Sequence, residues 1–276
     1  MIKIMVDSSS DCRKEDNFYD LFIPLTVDID GDCYRAGIDL SSDEFYERLV
    51  QTTGFPRTSQ PSPEMFSEIF EKARDDGDEI IYFALSSALS GTYQCACMVR
   101  EMVGYEGIHI IDTLTATHMI NLLAQYAKKL IAQGLSATEI VQKCEAAKGK
   151  VKVLAGLDTL EYLYRGGRLN RATATVGELA GIKPVITVTE EGKVESIGKG
   201  LGVVRSMQFI MNKLASYEID TDFPMYSMYS MGEANCIKLE GKLESAGYNI
   251  ERRVQLGSTI GSHIGPGVFA VVFAVK

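Results

Sequence analysis

Two hydrophobic rhythms take turns along this chain. Short apolar runs with the length of buried strands give way to longer stretches whose apolar positions recur three and four apart, the spacing of one helix face. Residues 2–6 (IKIMV), 79–85 (EIIYFAL), 107–111 and 151–155 read as strands. Residues 22–30 (FIPLTVDID) alternate in part and read as one more, closed by Gly31. Helical spacing covers 42–51, then a helix from Ser62-Pro63 that carries Phe66, Ile69, Phe70 and Ala73. Serine followed by proline is an N-cap and a first helical residue. Further helices run over 92–103, up to about residue 133 before Gly134, and onward from the capping box of Ser136 and Glu139. The stretch 52–61 (TTGFPRTSQP) reads as a loop. Strand and helix in alternation predict an α/β fold with a mostly parallel sheet and helices on both faces.

The texture changes after about residue 158. A helix over 159–164 ends in Gly166-Gly167, and another lies near 171–180. Residues 184–189 and 193–197 form a hairpin around Glu190-Glu191-Gly192. Then come a helix over 201–217, a strand over 225–230, a helix over 233–246, a strand over 248–254, a glycine-rich loop over 257–267 (GSTIGSHIGPG) and a strand over 268–275. Hairpin mixed with crossovers predicts a second α/β domain with a mixed sheet. The division expected is 1–156 and 157–276.

Polar residues gather at three strand ends: 7–11 (DSSSD), 86–92 (SSALSGT) and 112–117 (DTLTAT). Ligands of parallel sheets sit at the carboxyl ends of the strands, although strand ends are also polar simply because loops are solvated. The middle cluster leads a strand into a helix through Ser86, Ser87, Ser90, Gly91 and Thr92. A helix start has unpaired N–H groups and favours negative charge. Glycine permits close approach, and hydroxyls both donate and accept. This cup suits a small anionic head group, a carboxylate or a phosphate.

Composition narrows the field. The 276 residues suit one large domain or two sharing a cleft. A net charge of −9 without a Lys/Arg run argues against nucleic acid and against an anionic membrane surface. The apolar start meets Asp7 too soon for a signal peptide, and no run approaches the ~18 residues of a membrane span. A cytoplasmic protein with at most transient membrane contact is expected. Cys12, Cys33, Cys95, Cys97, Cys144 and Cys236 form no CxxC pair, so reduced core thiols and no metal are expected.

Other candidates are Thr58 and Ser59 before a helix start, Arg168 after a double glycine, and His263 in the terminal glycine-rich loop. Taken singly, each reads equally as an ordinary loop or capping residue. His109 and His118 read as structural, and Gly198-Lys199-Gly200 lacks the full phosphate-loop spacing. A hydrolase using Ser90 and His263 is disfavoured because the GxSxG elbow is absent.

In combination these stretches say more. TSQPS near residue 60, LSSxLSGTY near 90, GGR near 167 and GSHIGPG near 262, with Asp7-Ser8-Ser9 after the opening strand, resemble the DegV family, the fatty-acid-binding subunits of bacterial fatty acid kinases. The resemblance spans nearly the whole chain. It implies a long-chain fatty acid buried between two domains, its carboxylate held by Thr58 and Ser90, with Arg168 and His263 near the head group. Ser59, Gly91 and Thr92 count with the same cup. It also implies a carrier without a catalytic nucleophile or cofactor, which presents the carboxylate to an ATP-dependent kinase for conversion to an acyl phosphate. Two departures stand out. Residues 198–206 (GKGLGVVRS) are less basic than the family's helix start, where a partner would dock, and Leu114, Ala116 and His118 stand where serine and glycine are usual. The alternative is a phosphosugar-binding protein or isomerase, since a strand, a Ser/Thr turn and a helix also suit phosphate.

Overall fold

A computed structural model describes residues 1–13, 15–169 and 181–276. The helix expected near 171–180 lies outside the described residues. Strand β1 (Ile2–Asp7) is followed by β2 (Leu21–Ile23), β3 (Thr26–Ile29) and β4 (Asp32–Arg35). The run 22–30 is therefore two strands and not one. Pro24 stands between them and has no N–H for a ladder. β2 joins β1 in parallel, while β3 leaves for a small antiparallel sheet. Asp30 and Gly31, both with positive φ, make the tight turn from β3 to β4.

Helix α1 (Ser42–Leu49) starts on a capping box of Ser41 and Glu44. Next come β5 (Arg57–Ser59) and α2 (Pro63–Asp76), the latter with Ser62 at its N-cap. β5 falls inside the stretch read as a loop; three residues carry too little period to show. It pairs with β3, giving the order β4-β3-β5. β6 (Glu79–Ala84), α3 (Thr92–Val103) and β7 (Ile108–Asp112) complete a parallel sheet in the order β2-β1-β6-β7.

Helices α4 (His118–Ala132) and α5 (Ala137–Ala147) lead to β8 (Val151–Gly156) and α6 (Glu161–Arg165). The Ser136–Glu139 capping box is present at the start of α5. The expected hairpin is present and longer, as β9 (Ile182–Val188) and β10 (Val194–Leu201). Then follow α7 (Gly202–Leu214), β11 (Tyr226–Tyr229), α8 (Ala234–Ser245), β12 (Arg252–Gln255), α9 (Ser258–Ile264) and β13 (Phe269–Ala274). These strands form a mixed six-stranded sheet, β10-β9-β8-β13-β11-β12, in which only β11 and β12 are parallel. Every partner of β8 is in this sheet, so sheet membership changes ahead of Val151, whereas a division after 156 falls at the end of β8.

The glycine-rich stretch 257–267 is not all loop: it holds α9. Gly261 brings that helix against α1, since a Cβ there would lie 2.6 Å from the Phe45 ring and from the Tyr46 hydroxyl. Gly198 and Gly200 are in β10, and they serve packing. A Cβ on Gly200 would run into the backbone of Ser206, and one on Gly198 into the Phe209 ring.

Helix α4 explains how the layers stack. From His118 to Ala124 every residue is buried, so the helix has no solvent face there. It touches β1 and β6 on one side and β8 and β13 on the other. The core around it joins Ile4 and Phe83 of the first sheet to Val153 and Ala270 of the second. Helices α2 and α3 cover the outer face of the parallel sheet, and α7 and α8 that of the mixed sheet. The result is five layers, helix, sheet, helix, sheet, helix. Among the described residues no helix is long and apolar enough to cross a membrane.

Candidate ligand-binding site

The turn from β6 into α3 is held from below by a buried carboxylate. Asp7 accepts from Tyr82 Oη at 2.7 Å and from Leu85 N at 3.1 Å. Ser86 N donates to Thr115 O, and Ser86 Oγ donates to Gly192 O at 2.8 Å, tying the turn to the β9–β10 hairpin. Gly192 has φ +75° there, and a Cβ would collide with Ser86 Oγ. Ser86 and Ser87 are thus used by the scaffold. Ser87 N donates to Asp112 Oδ1. Ser90 accepts from Thr92 N, and its Oγ lies 2.8 Å from Thr92 Oγ1.

Beside Ser90, between the two sheets, lies a mostly apolar cavity of about 830 Å³, open solvent at its mouth included. Leu25, Leu85 and Leu89 line it from one side, Val153, Ala155 and Ile186 from the other. Four of the side chains singled out from the sequence meet in it: Thr58, Ser90, Arg168 and His263. The other three do not line it. β5 alternates, so Thr58 points in while Arg57 and Ser59 are exposed. Gly91 is the exposed N-cap of α3, and Thr92 is buried behind Ser90, where its hydroxyl orients that of Ser90.

Thr58 Oγ1 and His263 Nε2 are 2.7 Å apart. His263 Nδ1 is buried and has no hydrogen-bond partner among the described residues. Burial, with the Arg168 charge adding to it, pushes the imidazole down to about 4, so His263 is neutral at pH 7. Arg168 donates from Nε to Leu89 O at 3.0 Å and from Nη1 to Gly166 O. Among the described residues no carboxylate lies within ion-pair distance of it. Burial lowers its pKa from the usual guanidinium range. Among the described residues this half-buried cation meets only carbonyls, which leaves the cavity suited to an anion.

Of the polar clusters 7–11 and 112–117, the second reaches the cavity through Thr117, while Ser8 and Asp11 of the first serve the scaffold. Ser8 Oγ pairs with Thr259 Oγ1 at 2.8 Å. Asp11 accepts from Thr117 Oγ1 at 2.6 Å and from Gly257 N at 2.8 Å. These bonds lace α9 to the first strand's end. Thr117, from the strand-end cluster 112–117, lines the cavity, and so does Thr259, which was not singled out. Thr117 has φ +55° and ψ −148°, a rare conformation for a β-branched residue. No sequence signal marks that strain.

Burial raises the Asp11 carboxyl to about 7. A folded-state value above the unfolded one favours the protonated form in the fold. The contribution of this group is therefore greatest below about pH 4 and is lost as pH rises towards 7. Asp11→Asn keeps an acceptor for Gly257 N and cannot ionise. Against this variant the wild type is expected to lose up to about 4 kcal/mol between pH 4 and pH 7.5. Urea midpoints at both pH values measure it, and parallel midpoints would mean that Asp11 stays ionised throughout.

Two sheets sandwiching a helix, with an interior apolar cavity and a polar cluster that includes Arg168, define a two-sheet α/β fold with a candidate ligand pocket between the sheets. The chain belongs to the DegV family: the family model described as "Uncharacterised protein, DegV family" matches residues 1–276. A DegV domain-containing protein of Caldanaerobacter subterraneus is 34% identical over 280 residues, covering 100% of this chain and 99% of the relative. Among solved structures, a DegV family protein of Thermus thermophilus, described for fatty acid binding, superposes with a TM-score of 0.88 at 28% identity, covering 99% of both chains. A stearic-acid-binding protein of Eubacterium ventriosum gives 0.88 at 26% identity, covering 99% of this chain and 98% of that one.

Proposed function

We propose that this protein binds one long-chain fatty acid between its two sheets and presents the carboxylate to an ATP-dependent kinase for acyl phosphate formation. The observation that carries the reading is the apolar cavity in which Thr58, Ser90, His263 and Arg168 come together. A carboxylate in that cluster meets hydroxyl donors and a cation that has no counter-charge among the described residues, which offsets its loss of hydration. The tail adds about 0.8 kcal/mol for each buried methylene, so the acyl chain supplies most of the affinity and the polar cluster the ligand class. The solved relatives described as binding fatty acids support the ligand.

The kinase role rests on the motif set shared with the family and on the chemistry of the cluster. His263 is neutral and close to Thr58, but among the described residues no base is poised on Ser90, whose hydroxyl pairs with Thr92. The cluster holds an anion and does not activate one. A carrier that waits for a second enzyme fits that state, and an ATP-dependent partner implies a cytoplasmic setting. No cofactor other than the fatty acid is invoked.

Ser90→Ala removes one hydrogen bond to a charged group, about 1.5–3 kcal/mol, so fatty acid affinity is expected to fall about 10- to 100-fold with the circular dichroism unchanged. Displacement of a fluorescent fatty acid measures it. Undiminished affinity would take Ser90 out of the head-group site. Thermal stabilisation by sugar phosphates and not by fatty acids would instead favour the phosphosugar reading.

A further inference from the structure

The acyl cavity has a direction, and Val188 lines both it and a second cavity. Residues 151, 153 and 155 of β8 share one face, as alternate residues of a strand do. Ala155 and Val153 line the acyl cavity, and Arg168 of the polar cluster follows β8 in the chain. Val151, one step further from that cluster, lines a different cavity of about 770 Å³, open solvent included. β9 repeats the pattern: Ile186 lines the first cavity, Thr189 and Glu190 beyond its end line the second, and Val188 borders both. Val188 is half-buried and lies opposite Val194 across the hairpin, which also lines the acyl cavity.

The second cavity is of mixed character. Leu114, Met119 and Val151 give it apolar wall. Its charges are already matched: Lys148 Nζ is 2.6 Å from Glu145 and 2.9 Å from Asp112 O, and Lys152 is 4.0 Å from Glu190. A hydrocarbon end could rest on the apolar wall without stripping an ion of its partner, yet with Val188 in place the two spaces are separate.

Building on the fatty acid reading above, we propose that Val188 is the residue that sets the upper limit of acyl length, as the partition between the acyl cavity and this second cavity. Shortening the side chain joins the two spaces along β8. Two residues of strand cover about 7 Å, room for several more carbons of an extended tail. Enlarging it ends the acyl cavity sooner.

The test uses the full-length protein, stripped of lipid and offered an equimolar mixture of saturated acids from tetradecanoic to docosanoic. Bound acids are read by mass spectrometry after extraction. Val188→Ala is expected to raise the ratio of eicosanoic to hexadecanoic acid about tenfold, the worth of two further seated methylenes. Val188→Leu is expected to lower it. Ratios equal to the wild type's in loaded variants overturn the partition and leave the fatty acid reading standing. A wild-type protein that takes up none of the acids overturns both. If Val188→Ala does not fold, Val188→Leu decides alone: a lowered ratio supports the partition, and an unchanged one overturns it.

Discussion

Ala270→Phe is expected to yield a folded protein that retains almost no fatty acid. Ala270 is a fully buried residue of β13, opposite Ala155 of β8 and Met228 of β11, and it lines the acyl cavity. Larger side chains in packed cores usually cost about 1–3 kcal/mol through strain. Here the ring has open space to enter, so the cost is expected at the low end of that range. The ligand loses more. Blocking about six methylenes removes about 5 kcal/mol of burial, more than a thousandfold in affinity. Lipid extracted from the purified variant, beside its thermal midpoint, gives both quantities at once. A normal lipid load would place the tail elsewhere.

Asp7→Ala carries the largest expected loss of stability. The Asp7 carboxylate is wholly buried and accepts from Ser9 N, Ser9 Oγ, Tyr82 Oη and Leu85 N. Burial pushes its pKa up, and these bonds work against that rise. Alanine leaves four buried donors unmatched at about 1–3 kcal/mol each, a total comparable with the whole stability of many domains. The variant is expected to be insoluble or to unfold at much lower urea, with Asp7→Asn intermediate because it keeps one acceptor. A midpoint near the wild type's for Asp7→Ala would show that water satisfies those donors.

The long elements were legible because a strand or helix of sufficient length states its period. The parallel core strands, α2 with its serine and proline start, and α5 with its capping box all follow from local rules. The short ones were not. β5 has three residues, and α9 is built from Gly, Ser, Thr, Ile and His, weak helix formers that hold a helix here through bonds to Ser8, Asp11 and Thr58. Pro24 gave a readable sign that 22–30 is two strands, but partial alternation on both sides of it masked the break.

At the site, hydroxyl and basic residues stood out from their neighbours, and Thr58, Ser90, Arg168 and His263 do share one cavity. Which of two adjacent residues faces inward depends on the pairing of β5, and this separates Thr58 from Ser59. The cavity itself left no mark in the sequence. A leucine or valine lining a void is the same letter as one packed solid, and only the distance between the sheets tells them apart.

Helix α4 is covered by both sheets, and the core around it belongs to neither alone. A ligand seated beside it occupies interior volume, not a depression in a finished surface. A fatty acid seated there as proposed has its way out through the mouth of that cavity, so its exchange is expected to answer to the side chains at the mouth as well as to the length of its tail.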